Sequence, residues 1–175
     1  MFEYTIVEVR QQFLSLPIGI VLWVRWLGLA NLSGVVFWRR RQARWVLAAM
    51  AFIILTNGPM LLALGLVKAL SIPHLVVWLP LTAYLAMELR SGRVEHGKPF
   101  GIWCLVVMLT NLISVVFDLR DGAEYLLGDH AIVAADPTAE FPIITLLVIG
   151  LCTAALLAYS LGLPQGQARA RQENV

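Results

Sequence analysis

The chain has 175 residues, of which 59% are hydrophobic and only 14% charged, with a mean hydropathy of +0.78. A soluble domain carries about 25% charged residues and far shorter apolar runs, which excludes a water-soluble enzyme, a disordered chain and a disulfide-stapled secreted module. The net charge of +2 is too small to point to a nucleic-acid partner. What remains is an all-α, polytopic integral membrane protein forming one membrane domain. Eleven of the thirteen basic residues are arginine, and the rest of the vocabulary is rich in Ala, Leu, Val and Gly, as in a GC-rich bacterial genome.

Residues 1–12 mix charges too evenly for the n-region of a signal peptide, and the apolar run that follows is too long for an h-region. This segment is expected to lie along the outer surface. A bilayer core of about 30 Å asks for roughly 20 apolar residues per helix. Five stretches approach that length: about 13–38, 45–67, 72–89, 99–117 and 141–163. The third carries Pro73 and Pro80 and either crosses or re-enters. Residues 118–140 form the one sizeable loop, with Asp121-Gly122 and Asp136-Pro137 as turns and Ala123 to Leu127 as a short interfacial helix. Residues 164–175 are a tail.

Positively charged residues in short loops mark the cytoplasmic side. If all five stretches cross, Arg39, Arg40, Arg41, Arg44, Arg90, Arg93, Lys98, Arg169 and Arg171 share one side. The other side receives Glu3, Glu8, Asp118, Asp121, Glu124, Asp129, Asp136 and Glu140. Four crossings would break that separation. The expectation is therefore five spans, N-terminus out and C-terminus in, in a bacterial inner membrane.

Residues 23–40 and 103–120 align without gaps at an offset of 80. Trp23/Trp103, Leu29/Leu109, Asn31/Asn111, Leu32/Leu112, Val35/Val115, Val36/Val116, Phe37/Phe117 and Arg40/Arg120 are identical, eight positions of eighteen. Since the first span runs inward and the fourth outward, a genuine repeat would be inverted, in a 2+1+2 arrangement found in many secondary transporters. The alternative is chance matching among apolar residues.

Several polar groups interrupt the apolar runs. Arg25 lies about midway along the first span, where it either snorkels, pairs across an oligomer or binds an anion. Asn31 is one of the repeated polar positions. Thr56-Asn57-Gly58-Pro59 interrupts the second span, either as a simple kink or as a break freeing carbonyls near Leu55 and Thr56. Asn111, Ser114 and Asp118 fall at i, i+3 and i+7, a polar stripe read as helix contact or as a hydrophilic path. Thr145, Cys152 and Tyr159 form a similar seam in the fifth span. Cys104 and Cys152 read as small buried hydrophobes, and His74 as an interfacial residue or else a pH sensor. No motif for a catalytic, cofactor or metal site is present.

Three functions follow. The first is a structural or accessory subunit of a membrane complex, partnered by lipid and by its own copies or other membrane subunits. The second is a small oligomeric transporter or channel using Arg25, Asn31, Thr56, Asn57, Asn111, Ser114 and Asp118. The third, a membrane-embedded enzyme, would hold a divalent cation at Asp118, Asp121, Glu124 and His130.

Overall fold

A computed structural model describes residues 2–133; the expected fifth span, the seam through Thr145, Cys152 and Tyr159, and the tail lie outside the described residues. The described chain is helical: α1 (Ile6–Leu14), α2 (Ile18–Leu32) continuing into a 3₁₀ segment (Ser33–Phe37), α3 (Arg41–Leu64), a 3₁₀ turn (Lys68–Leu70), α4 (Ser71–Arg90) and α5 (Pro99–Leu126). Four stretches, Ile18–Phe37, Arg41–Leu64, Lys68–Arg90 and Pro99–Leu126, are long and apolar enough to cross a membrane.

The N-terminal boundaries follow from local chemistry. Thr5 and Glu8 form a capping box at the start of α1: the Glu8 amide donates to Thr5 Oγ1 at 3.3 Å and the Thr5 amide to Glu8 Oε2 at 2.7 Å. The Thr5 amide, and then the Thr5 hydroxyl donating to Glu8 Oε2 at 2.8 Å, hold the Glu8 carboxyl below its usual range. The first long helix begins at Ile18 and not near Phe13. Pro17 has no amide hydrogen and biases Leu16 away from helical angles, so the apolar run is cut in two.

The second span is likewise displaced, running from Arg41 to Leu64 where 45–67 is expected. It stops at Gly65, whose φ of +73° suits glycine, and a Cβ there would sit 3.1 Å from the Tyr4 ring. The N-terminal segment is laced to this end: the Glu3 and Tyr4 amides donate to the Leu62 carbonyl, and the Leu66 amide to Gln12 Oε1.

Thr56 to Pro59 do not break α3. Pro59 lies inside a continuous helix, and the Thr56 hydroxyl donates back to the Phe52 carbonyl at 2.9 Å. The helix over 71–90 is continuous as well; Pro73 sits in its first turn, where amides have no intrahelical partner, and Pro80 omits one bond.

The largest departure is at the end of α5. The helix does not stop near Phe117 but runs 28 residues to Leu126, about 42 Å at helical rise. Asp121-Gly122 is therefore helix and not a turn, and Ala123–Leu126 is the last part of α5 and not a separate element. The acids that mark an end in the sequence are bonded here. Lys68 Nζ meets Glu124 Oε2 at 2.6 Å and also bonds Asp129, while Arg120 Nε holds Glu124 Oε1 at 2.8 Å.

Consecutive long helices run antiparallel. Gln42 at the start of α3 meets Glu88 near the end of α4, and Lys68 before α4 meets Glu124 near the end of α5. Charges thereby sort by end. One end collects Arg39, Arg40, Arg41, Arg44, Arg90, Arg93 and Lys98 against Glu88 and Glu95; the opposite one collects Glu3, Glu8, Asp121, Glu124 and Asp129 against Arg10, Lys68 and Arg120. We call these the arginine end and the carboxylate end.

Between them α4 is packed against α3 and α5 through Trp78, Leu81, Leu85, Val46, Ile53, Cys104 and Val107. The outward faces remain apolar, with Leu22, Leu29, Phe52, Leu55, Val76, Leu79 and Val116 all exposed. Apolar faces of that extent suit a lipid surround far better than water.

Candidate functional site

Two buried polar assemblies join the helices, and a third lies at the arginine end. The first is between α2 and α5. Asn31 Nδ2 donates to Asn111 Oδ1 at 2.9 Å, and Asn111 Nδ2 returns a bond to Asn31 Oδ1 at 3.1 Å. Both side chains are fully buried, and Asn31 also reaches the Leu27 carbonyl at 2.9 Å. The two residues are the ones that the offset of 80 aligns.

The flanking aromatic contacts obey the same offset. Trp23 packs edge-on to Phe117 at 6.3 Å, and Trp103 packs on Phe37 at 5.5 Å. Adding 80 to one member of each pair and subtracting 80 from the other converts either contact into its counterpart. The Trp103 indole further donates to the Ala30 carbonyl at 3.2 Å and to Ser33 Oγ at 3.0 Å. It also lies where a Cβ on Gly34 would come within 3.0 Å. On the other side Trp26 Nε1 donates to Thr110 Oγ1 at 3.2 Å.

The second assembly ties α3, α4 and α5 together in the carboxylate half. Asn57 Nδ2 bonds the Leu70 carbonyl and His74 Nε2, each at 3.1 Å. His74 Nδ1 meets Asp118 Oδ1 at 3.2 Å, and the Ser114 hydroxyl donates to Asp118 Oδ2 at 3.1 Å. Asn57, Ser114 and Asp118 are all buried. His74 stacks on Trp78 at 6.3 Å with 29° between the planes.

The third surrounds Glu88. Gln42 Nε2 donates to Glu88 Oε2 at 2.7 Å, and Arg93 contacts Glu88 Oε1 at 2.8 Å through its terminal nitrogen and at 3.0 Å through Nε. Beside it Arg40 lies over the Phe100 ring at 5.4 Å and Arg41 over Tyr84 at 5.9 Å, cation–π contacts that hold the arginine row against the bundle.

The expected site residues are thus distributed in a specific way. Asn57 and Asp118 are joined through His74, Ser114 bonds Asp118, and Asn31 meets Asn111. The stripe Asn111–Ser114–Asp118 divides: its first member bonds α2, its last bonds α4 and Ser114 bonds Asp118 within α5, so it is not one hydrophilic track. Thr56 bonds only its own helix. Arg25 is exposed on the apolar face of α2 and has no ion pair or hydrogen bond among the described residues. The acidic group Asp118, Asp121, Glu124 and His130 does not converge. Glu124 is engaged by Lys68 and Arg120, Asp118 by His74, and among the described residues no group of three or more His, Cys, Asp or Glu is placed to hold a metal ion.

Sequence reasoning read His74 as interfacial or pH-sensing and did not count Glu88 among the candidate site residues, so it foresaw neither bonded group. One signal was available for each: an ionisable residue inside an apolar span is costly unless it has a partner. No family model, curated protein or solved structure matches the chain.

Proposed function

We propose that this is a small multi-pass membrane protein working as a structural or accessory subunit of a membrane assembly, either with other subunits or with its own copies. The observation that carries this reading is Arg25. It lies seven residues into α2, about 10 Å from the helix start, on a face shared with exposed Leu22, Leu29 and Leu32. A guanidinium facing lipid near mid-span costs roughly 3 kcal/mol on insertion scales. A carboxylate or free carbonyls on a neighbouring membrane helix would offset that cost.

The buried polar assemblies fit the same role, since amides, hydroxyls and indoles act as contact points between membrane helices. The arginine end faces the cytoplasm in this reading, and a fifth crossing by 141–163 brings the C-terminus to the same side of a bacterial inner membrane.

The test is affinity purification of the full chain in mild detergent, with mass spectrometry and native mass measurement. Retention of defined partners or of a homo-oligomer, lost in Arg25→Leu while the monomer stays folded, is the expected result. A monodisperse monomer that behaves identically with and without Arg25 would sink the proposal.

A second reading, a small oligomeric transporter or channel, is favoured by one set of contacts. The reciprocal Asn31–Asn111 bonds and the matched Trp–Phe pairs are what a pseudo-two-fold axis through the α2–α5 contact would produce, and inverted repeats are a recurring transporter architecture.

A further inference from the structure

The chain Asn57–His74–Asp118 has a property that packing alone does not require: its hydrogen-bond directions admit one protonation state. The Leu70 carbonyl only accepts, so the Asn57 atom facing it is the Nδ2 donor. The second hydrogen on Nδ2 then points at His74 Nε2, which must be an unprotonated acceptor. In a neutral imidazole the hydrogen consequently sits on Nδ1, where it donates to Asp118 Oδ1. Ser114 donates to the other carboxylate oxygen, so Asp118 is filled on both sides as an anion.

A proton arriving at Nε2 turns that nitrogen into a donor facing a donor. Asn57 can rotate its amide to present Oδ1, which has no hydrogen-bond partner and is buried, but that places Oδ1 against the Leu70 carbonyl. Otherwise it withdraws. Either way the bond joining α3 to α4 is remade, while the α4–α5 contact through Nδ1 is kept and becomes an ion pair. The ring so loaded stays beside the Asp118 carboxylate, 3.2 Å from Nδ1.

We infer that Asn57, His74 and Asp118 form a proton-binding site whose loading on His74 Nε2 changes the α3–α4 tie and keeps the α4–α5 tie. The charged groups around it are few. On α5 these are Asp118, which touches His74, and Asp121, Glu124 and Arg120, which do not. Lys68 in the turn before α4 is held by Glu124 and Asp129. On α3 no titratable residue lies between Arg44 and Gly65, on α2 the one charged residue is Arg25, and the N-terminal segment carries Glu3, Glu8 and Arg10.

The experiment uses the full chain in micelles with ¹⁵N-labelled histidine and asparagine side chains, and the proton itself as probe. While neutral, His74 should carry its hydrogen on Nδ1. Lowering the pH until Nε2 is protonated should shift the Asn57 amide signals. His74→Gln should abolish the Asn57 response. An Nε2–H tautomer in the wild type, or Asn57 signals unmoved as His74 becomes charged, overturns the inference. If His74→Gln does not fold, the wild-type tautomer and the Asn57 response decide the matter by themselves.

Discussion

The two ends of the bundle solve the same problem, a buried carboxylate beside a helix terminus, with opposite chemistry. At the arginine end Glu88 is answered by a guanidinium that stays charged at every attainable pH, with Gln42 completing the set. At the carboxylate end Asp118 is answered by an imidazole and a hydroxyl, neither permanently charged. The first arrangement is a fixed clamp. The second changes its bonding when one proton arrives.

The sharpest way to break the comparison is through the glycines at either end of α5. A Cβ on Gly101 would fall 2.0 Å from the Glu95 carbonyl oxygen and 2.8 Å from its carbon, backbone that cannot step aside without unseating the loop between α4 and α5. A Cβ on Gly122 would come 3.3 Å from Ser71 Oγ and 3.5 Å from a Leu75 methyl, side-chain atoms able to turn. Gly101→Ala should therefore destabilise by about 3 kcal/mol or more, and Gly122→Ala by about 1 kcal/mol or less. Thermal unfolding of both variants in one detergent checks this, and equal losses would show the ends to be equally compliant.

The next effect belongs to neither end. Removing one member of the Asn31–Asn111 pair leaves a buried amide without its partner, at a cost of about 1 to 2 kcal/mol. Removing both leaves nothing stranded. Asn31→Leu and Asn111→Leu should each destabilise, and the double variant should lose less than the sum of the two. A double-mutant cycle with simple additivity would mean that the reciprocal bonds contribute little to holding α2 against α5.

How much of this was legible in the sequence depends on how far apart the partners lie. The existence of the long helices was readable, because an apolar run about 20 residues long is a local property. Their ends were less so. Hydropathy does not register that Pro17 severs a run it leaves apolar, and it takes Asp118 for a terminus because the charges that pair with it and its neighbours come from other helices. Asn31 and Asn111 were singled out by the repeat, but nothing in an offset of 80 says that the two amides face one another. His74 was noticed, but its bonding was hidden because its partners lie 17 and 44 residues away on two different helices. Arg25 was visible from its position alone, and among the described residues the fold leaves it facing outward with no partner.

The smallest predicted effect lies at the rim of the carboxylate end. Asp129 is held below the usual carboxylate range first by its bond to Lys68 and then by the Ala131 amide. Depressing a carboxyl in the folded state adds stability that is present above the ordinary aspartate range, about pH 4. That contribution is lost as the pH falls through the lower folded value. The clamp between Lys68 and Asp129 should accordingly be intact at neutral pH and open only in acid. A ¹³C titration of the Asp129 carboxyl should show a low midpoint in the wild type and an ordinary one in Lys68→Met. If Lys68→Met leaves the midpoint where it was, Lys68 is not what holds the chain after α5 against the turn before α4, and the Val67–Ile132 bridge carries that attachment instead.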